Sequence, residues 1–446
     1  MTGPDVLARP AAWVARLPIV APLATRDFRL VWFGESASLL GNHFHTVALS
    51  FLVLGMTGSG FALGAIVVAG AIPRGVFMLL GGVLSDRVSP RDLALASNLL
   101  RAALTTVVAG LVLGAGVQLW HLALVGVLFG TVDAVFLPAI NTLVPRLVAT
   151  DRLAAANAMM QGTAQLVGTA GPAFAGFAVA LIGVGAAFAI DAMSFAVAAV
   201  ALSFVRSGAT PGRPASSTTD GPAEIAAVAS TQLTGTTETT EAATARPSLT
   251  ASLAAGMRSV LGDPVMRSIV VVSTAANLAF VGPVVVGLPW LVLVRFGGDA
   301  PELGLLFAGY GAGSFAGVLA AGSLRRPRRF GSVVLILIIA MGVGLAAVGL
   351  APSVAAAGLV LLGIGAMNGY VNVVVIAWVQ GRADPEMLGR TMSYLMLGSV
   401  IAAPLSLAFA AVVVDAHATA MFVAAGLLVI AAGVIAVASG LPRRMV

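Results

Sequence analysis

The chain contains no cysteine, which excludes disulfides, thiolate metal ligation and a cysteine nucleophile. It contains no lysine either, so all 24 basic residues are arginine. A P-loop, whose lysine reaches the nucleotide phosphates, and a Schiff-base lysine are both excluded. If the protein moves anything uphill, it does not hydrolyse ATP through a P-loop of its own. Charge is scarce altogether, at 9% of 446 residues, where soluble domains carry about a quarter. His43 and His45 have no carboxylate at metal-ligand spacing, so no metal site is expected. No nucleophile–base constellation is present, and the chain is not expected to be an enzyme.

What fills the space is apolar. The chain is 59% hydrophobic, with a mean hydropathy of +1.03. Apolar runs long enough to span a bilayer recur along it, which predicts an all-α polytopic membrane protein of about twelve helices. The first six spans fall near Arg29–Leu54, Phe61–Leu84, Leu93–Val117, Leu119–Val144, Leu153–Ile182 and Val184–Val205. The second six fall near Val265–Val294, Glu302–Leu324, Phe330–Leu350, Val354–Val379, Leu388–Val414 and Thr419–Gly440. Residues 206–250 are rich in Ser, Thr, Gly, Pro and Glu and cannot bury enough apolar surface to fold, which makes them a flexible linker. Leu253, Met257, Val260 and Leu261 at helical spacing predict a helix in the membrane interface before the seventh span.

The domain plan is thus a tail (1–28), a six-helix bundle (29–205), the linker (206–250), the interfacial helix with a second bundle (251–441), and a short tail (442–446). A short interfacial helix is expected near Trp13, and no cleavable signal peptide is expected. Arginines concentrate in alternate loops, near Arg87/Arg91, Arg146/Arg152, Arg325–Arg329 and Arg382/Arg390. The other loops carry none except Arg295. By the positive-inside rule both termini and the linker are cytoplasmic. The net charge of +6 reflects this topology and not a nucleic-acid partner.

The halves repeat. Leu49-Ser50-Phe51-Leu52-Val53-Leu54 aligns with Leu288-Pro289-Trp290-Leu291-Val292-Leu293, and with one inserted residue Gly64 meets Gly304 and Gly82 meets Gly322. Two parallel halves related by an axis along the membrane normal are a transporter architecture.

The loop after the second span reads Gly82-Val83-Leu84-Ser85-Asp86-Arg87-Val88-Ser89-Pro90-Arg91. A glycine allows close backbone approach, and an acid four residues on can meet a helix N-terminus or an arginine. Such a cluster fits a latch that breaks when helices move; it equally fits an ordinary positive-inside loop with a neutralising acid. Arg101 is expected to reach back to Asp86 rather than line a cavity. Gly82, Asp86, Arg87 and Arg91 resemble the loop signature of the major facilitator superfamily, with Ser89 where that family usually has a glycine and Pro90 where it usually has a base.

The wider sequence resembles one branch of that superfamily, the siderophore (enterobactin) exporters and macrolide-efflux proteins. The resemblance lies in Phe28–Glu35 with Leu40-Gly41-Asn42, in Phe136-Leu137-Pro138-Ala139 with Leu143–Val148, in Asp191-Ala192-Met193-Ser194-Phe195 and in Gly262–Arg267. The branch often has Gln at the position of Glu35 and Asp at those of Asn42 and Asn98. Gly168, Gly171, Pro172 and Gly176 are similar to the antiporter motif of proton-coupled exporters, which implies export over import.

An ionisable side chain at membrane depth is a functional candidate by default. Glu35, Arg74, Asp133 and Asp191 are the proton-coupling candidates, all in the first half. A buried arginine needs a carboxylate; for Arg74, Asp133 is the preferred partner and Glu35 the next. That pair could be structural, or it could open on protonation. Asp191 could bind protons or act structurally. Glu35, Ser38, Asn42, His45 and Thr46 share one helical face, which either lines a central cavity or forms a polar packing seam. His43 lies off that stripe and suits helix packing. Gln161, Gln165, Asn277 and Asn372 complete the cavity candidates, with Asn42 and His45.

Few amides and carboxylates in an apolar cavity suit a small hydrophobic or amphipathic substrate, neutral or cationic. The expectation is a monomeric, proton-coupled exporter (antiporter) of hydrophobic drugs, a secondary metabolite or a siderophore. It would sit in a bacterial inner membrane, work by alternating access, and use the proton gradient with no cofactor. A lipid or lysolipid translocator and a transporter-like membrane sensor or scaffold acting through the linker are the other readings.

Overall fold

The computed structural model describes residues 18–206, 264–324, 329–382 and 388–440, with side chains at all of these except 18–19, 78–87, 264, 380–382 and 388–401. The interfacial helix expected at 251–263, the helix expected near Trp13, the linker beyond Arg206 and the C-terminal tail lie outside the described residues.

Among those residues there is no strand, and ten helical runs are long and apolar enough to cross a membrane. The first four are α1 (Arg26–Thr57), α2 (Gly60–Arg87), α3 (Pro90–Leu113) and α4 (Leu119–Leu147). The fifth run, Leu153–Ser203, has 51 residues, roughly 76 Å at 1.5 Å per residue, more than twice the hydrocarbon core. It breaks at Gly183, whose φ of 81° suits glycine, into α5 (153–182) and α6 (184–203). The same holds for Leu388–Ala438, which breaks at His417 (φ −144°, ψ 49°) into α11 (388–416) and α12 (418–438). Between them lie α7 (Pro264–Gly282), α8 (Ala300–Ser323), α9 (Phe330–Leu350) and α10 (Val354–Arg382). The two breaks raise ten runs to twelve crossings, and both fall where the sequence placed loops.

Local chemistry sets the ends. α1 stops at Gly58 in the left-handed conformation, whose N–H donates to the Leu54 carbonyl at 2.7 Å. α8 starts with a reciprocal cap between Asp299 and Glu302. α7 continues to Arg295 through wide π-helical turns at Pro283–Gly287 and Leu291–Arg295; Pro283 and Pro289 lack the N–H that a regular turn would use.

Packing repeats between the halves. α1 lies against α5 and α6, α2 against α4, and α3 against α6. Correspondingly α7 lies against α11, α8 against α10, and α9 against α12. The halves meet through α2–α11 and α5–α8. Gly64 of α2 abuts Ala411 of α11, and Gly304 of α8 abuts Pro172 and Gly176 of α5. These are the two glycines that the repeat alignment equates, each placed where a side chain would push the halves apart. Phe51 and Trp290, also equated, both pack against the cores of both halves.

The halves are in contact from the arginine-poor end to about mid-helix, where Gly311 meets Gly168 and Thr169. Toward the arginine-rich end Gly162 and Gly322 have no neighbour within 4 Å of where a Cβ would stand. At the arginine-poor end Asp415 of α11 caps α2 across the boundary. It accepts from Ser59 Oγ at 2.6 Å, from Gly60 N–H at 2.5 Å and from Phe61 N–H at 3.1 Å.

Candidate functional site: a cavity between the halves

A cavity of about 800 Å³ lies between the halves. α1, α2, α3, α4 and α6 form most of its wall, and Asn277 and Val285 with Ala403, Pro404 and Leu407 close it from the second half. The α1 face turned to it carries Glu35, Leu39, Asn42, His45, Thr46, Leu49 and Ser50. Ser38, expected on that face, is buried (1% exposed) and does not line the cavity. The adjacent α1 face, with Gly34 and Gly41, packs on α6.

Asp133 of α4 is the centre of an ion triad. Its Oδ2 accepts from Arg74 Nε of α2 at 3.0 Å, the partner expected from the sequence. Its Oδ1 accepts from Arg101 of α3. Arg101 is 1% exposed, and its guanidinium lies 4.0 Å from the Phe136 ring centroid and 5.6 Å from those of Phe129 and Phe195. A desolvated arginine over aromatic faces gains cation–π stabilisation of about 1–2 kcal/mol, but its charge still requires the carboxylate. Arg74 is more open, with 56% of its side chain exposed.

One expectation changes here. Arg101, expected to stay off the cavity, lies deep along α3, is taken by Asp133 and lines the cavity. Arg91 donates to the carbonyls of Leu202 and Ser203, at 3.1 and 2.6 Å, and to Asp92. It therefore satisfies the C-terminal carbonyls of α6, where a cation also meets the negative end of the helix dipole. The backbone of Gly82, Asp86 and Arg87 belongs to the last turns of α2, and their side chains lie outside the described residues.

Asp191 of α6 is fully buried. Its Oδ2 lies 3.0 Å from His45 Nδ1, and its Oδ1 has no hydrogen-bond partner. Gly41 leaves the room that the Asp191 carboxylate and Ser194 occupy. The His45 ring is stacked on Phe129 at 5.4 Å and meets Phe188 edge-on at 5.3 Å. Glu35 lines the same cavity and forms no ion pair with a described residue.

The other candidates separate. Asn42, His45 and Asn277 line the cavity, whereas Gln161, Gln165 and Asn372 do not. The small-residue face of α5 is used for packing: Gly171 receives the His43 ring, and Gly176 and Pro172 receive α8. Gly168 meets Gly311 at mid-helix. Sequence reasoning missed the Asp415 cap and the His45–Asp191 pair. Each joins residues far apart in the chain, and periodicity within one helix carries no signal of a partner on another. No group of three metal-ligating side chains occurs among the described residues.

Residues 31–407 match the Major Facilitator Superfamily. The chain is 28% identical over 411 residues to an uncharacterized MFS-type transporter, y4rN, of Sinorhizobium fredii, covering 90% of this chain and 91% of that protein. It is 26% identical over 399 residues to the multidrug efflux pump Tap of Mycolicibacterium fortuitum, covering 87% and 90%. Macrolide efflux protein A of Streptococcus pyogenes is 25% identical over 179 residues, 40% of this chain and 44% of that protein. Among solved structures, a POT family transporter in complex with a thioalcohol-conjugated peptide superposes with a TM-score of 0.67 over 93% of this chain and 96% of that one, at 14% identity.

Proposed function

Because the chain belongs to the major facilitator superfamily, we propose that it is a proton-coupled exporter of small amphipathic molecules, neutral or singly cationic, in a bacterial cytoplasmic membrane. The observation that carries this reading is the cavity itself. It is largely apolar, lies between two halves that touch at one end, and gathers every charged side chain among the described residues of its wall from one half. Two relatives, the multidrug efflux pump Tap and macrolide efflux protein A, are efflux proteins, which supports the outward direction.

In this reading the arginine-rich end faces the cytoplasm, and the cavity is in its inward-facing state. Rocking of the halves about the cavity would then expose it to the other side. One proton crossing 100 mV releases roughly 2.3 kcal/mol, and each pH unit adds about 1.4 kcal/mol. One proton per cycle thus sustains a cargo gradient of about two to three orders of magnitude. The sparse donors of the cavity are a poor match for sugars or phosphates.

The test is accumulation of cationic dyes and macrolides in cells expressing the protein, with and without an uncoupler. Lower accumulation that the uncoupler abolishes is the expected result. Unchanged accumulation across the panel, with the protein present in the membrane, overturns it.

A further inference from the structure

The charge count around the cavity is odd. Among the described residues Arg74 and Arg101 supply two positive charges, and Glu35, Asp133 and Asp191 supply three negative ones when all three carboxyls are ionised. A lone excess charge in a low-dielectric site is costly, so the cluster favours gaining one positive charge. Asp133 is a poor place to add it as a proton, because both its oxygens are engaged by guanidiniums and its neutralisation would leave two arginines facing each other.

The His45–Asp191 pair has the opposite character. A carboxylate accepts only, so the 3.0 Å contact places a hydrogen on His45 Nδ1. Nε2 is then the atom left to gain a proton, and no described residue bonds to it. The side chain is 22% exposed and lines the cavity, so water in the cavity can deliver the proton. Asp191 is fixed, fully buried, and holds a second oxygen without a partner. Arg101 from α3 is within electrostatic reach of Asp191, and Asp133 from α4, Arg74 from α2 and Glu35 from α1 itself line the same cavity as His45.

We propose that the exchanged proton resides on His45 Nε2, with Asp191 as its fixed counter-charge, and that this proton and a singly charged cationic cargo neutralise the cavity in turn. The inference rests on the export reading and names its proton site. Loading adds one proton at Nε2 while Nδ1–H stays on Asp191; arrival of the cation releases that proton to the cavity water. Glu35, unpaired on the same wall, is the carboxylate left to meet the cargo. The link to the rest of the cluster is Phe129, whose ring is stacked on His45 and also lies 5.6 Å from the Arg101 guanidinium. A protonated His45 puts a second cation on that ring, beside the cation that holds Asp133.

The experiment uses purified full-length protein in weakly buffered detergent solution and tetraphenylphosphonium, a cation with no proton of its own. Wild type should release about one proton per cation bound, as linkage requires. His45→Gln, which keeps an N–H donor for Asp191, should bind the cation and release none. Asp191→Asn removes the excess negative charge, so it should release none and bind the cation more weakly; binding by His45→Gln reports that this variant is folded. In proteoliposomes His45→Gln should let the cation equilibrate downhill but should not concentrate it against a pH gradient. Undiminished proton release from His45→Gln overturns the proposal and leaves export intact, and loss of release in Glu35→Gln would then locate the proton there. Wild type that binds the cation without releasing a proton, or does not bind it, overturns the coupled-export reading of cationic cargo and the proposal with it.

Discussion

In the first half α2 packs on α4 and α3 on α6; in the second α8 packs on α10 and α9 on α12 in the same way. The walls these bundles present to the cavity nevertheless have little in common. The first contributes two arginines, two carboxylates and a histidine paired with a third carboxylate. Among the described residues the second contributes Asn277 and otherwise Val285, Ala403, Pro404 and Leu407. A duplicated scaffold thus fixes where helices cross, because crossing depends on small residues at repeated positions. The chemistry of the cavity depends on which side chain sits one turn along, and that has diverged freely.

The largest effect should come from removing the charge at the centre of the first half. Asp133→Ala leaves Arg101 buried without a partner, which costs on the order of 3–5 kcal/mol. A large fall in the thermal unfolding midpoint in detergent checks it; an unchanged midpoint would mean that the triad is not the core of that half. Next come the paired glycines. Gly304→Leu forces a side chain into the α5 backbone, while Gly322→Leu enters open space. The first should lose stability by about 1–3 kcal/mol and transport with it, and the second should keep both. Equal behaviour would mean that the α5–α8 contact at Gly304 does not hold the halves together.

The Asp415 cap gives a smaller effect. Losing a cap costs about 1 kcal/mol, so Asp415→Ala should shift the balance between the two facing states by roughly fivefold. The chain has no cysteine of its own, so Asn42→Cys on the cavity wall can be labelled alone with an impermeant maleimide. Labelling from the arginine-poor face should rise when Asp415→Ala is added. Asn277→Ala should have the smallest effect, a few-fold change in apparent dye affinity, about 1 kcal/mol, with the proton response unchanged. Loss of proton coupling in this variant would show that the division of labour between halves is not clean.

Much of this was legible in the chain. Hydropathy places the crossings, with gaps of only a few residues at 182–184 and 415–418 where the structure breaks its two 51-residue runs. The Arg74–Asp133 pairing was legible because an arginine in mid-span must find a carboxylate and few exist. The face of α1 was right in direction but too wide, since Ser38 is buried and does not line the cavity. Gln161 and Gln165 were placed at the cavity because a polar helical face suggests one, but the neighbouring small residues of α5 serve the α8 contact. His45–Asp191 and Asp415–Ser59 needed the tertiary structure. Each residue alone suits several partners, and geometry chooses among them.

Gly183 is the whole connection between α5 and α6. α5 bears on the opposite half through Pro172 and Gly176, and α6 carries Asp191. A link of one residue has almost no slack, so α5 cannot tilt during rocking without dragging the end of α6. If the halves rock as proposed, the turn would work as a transmission: a displacement at the rubbing surface between the halves would arrive at the buried carboxylate as a change in its reach to the imidazole. A longer, looser loop at this position would disengage that gearing while leaving every contact of the resting structure in place.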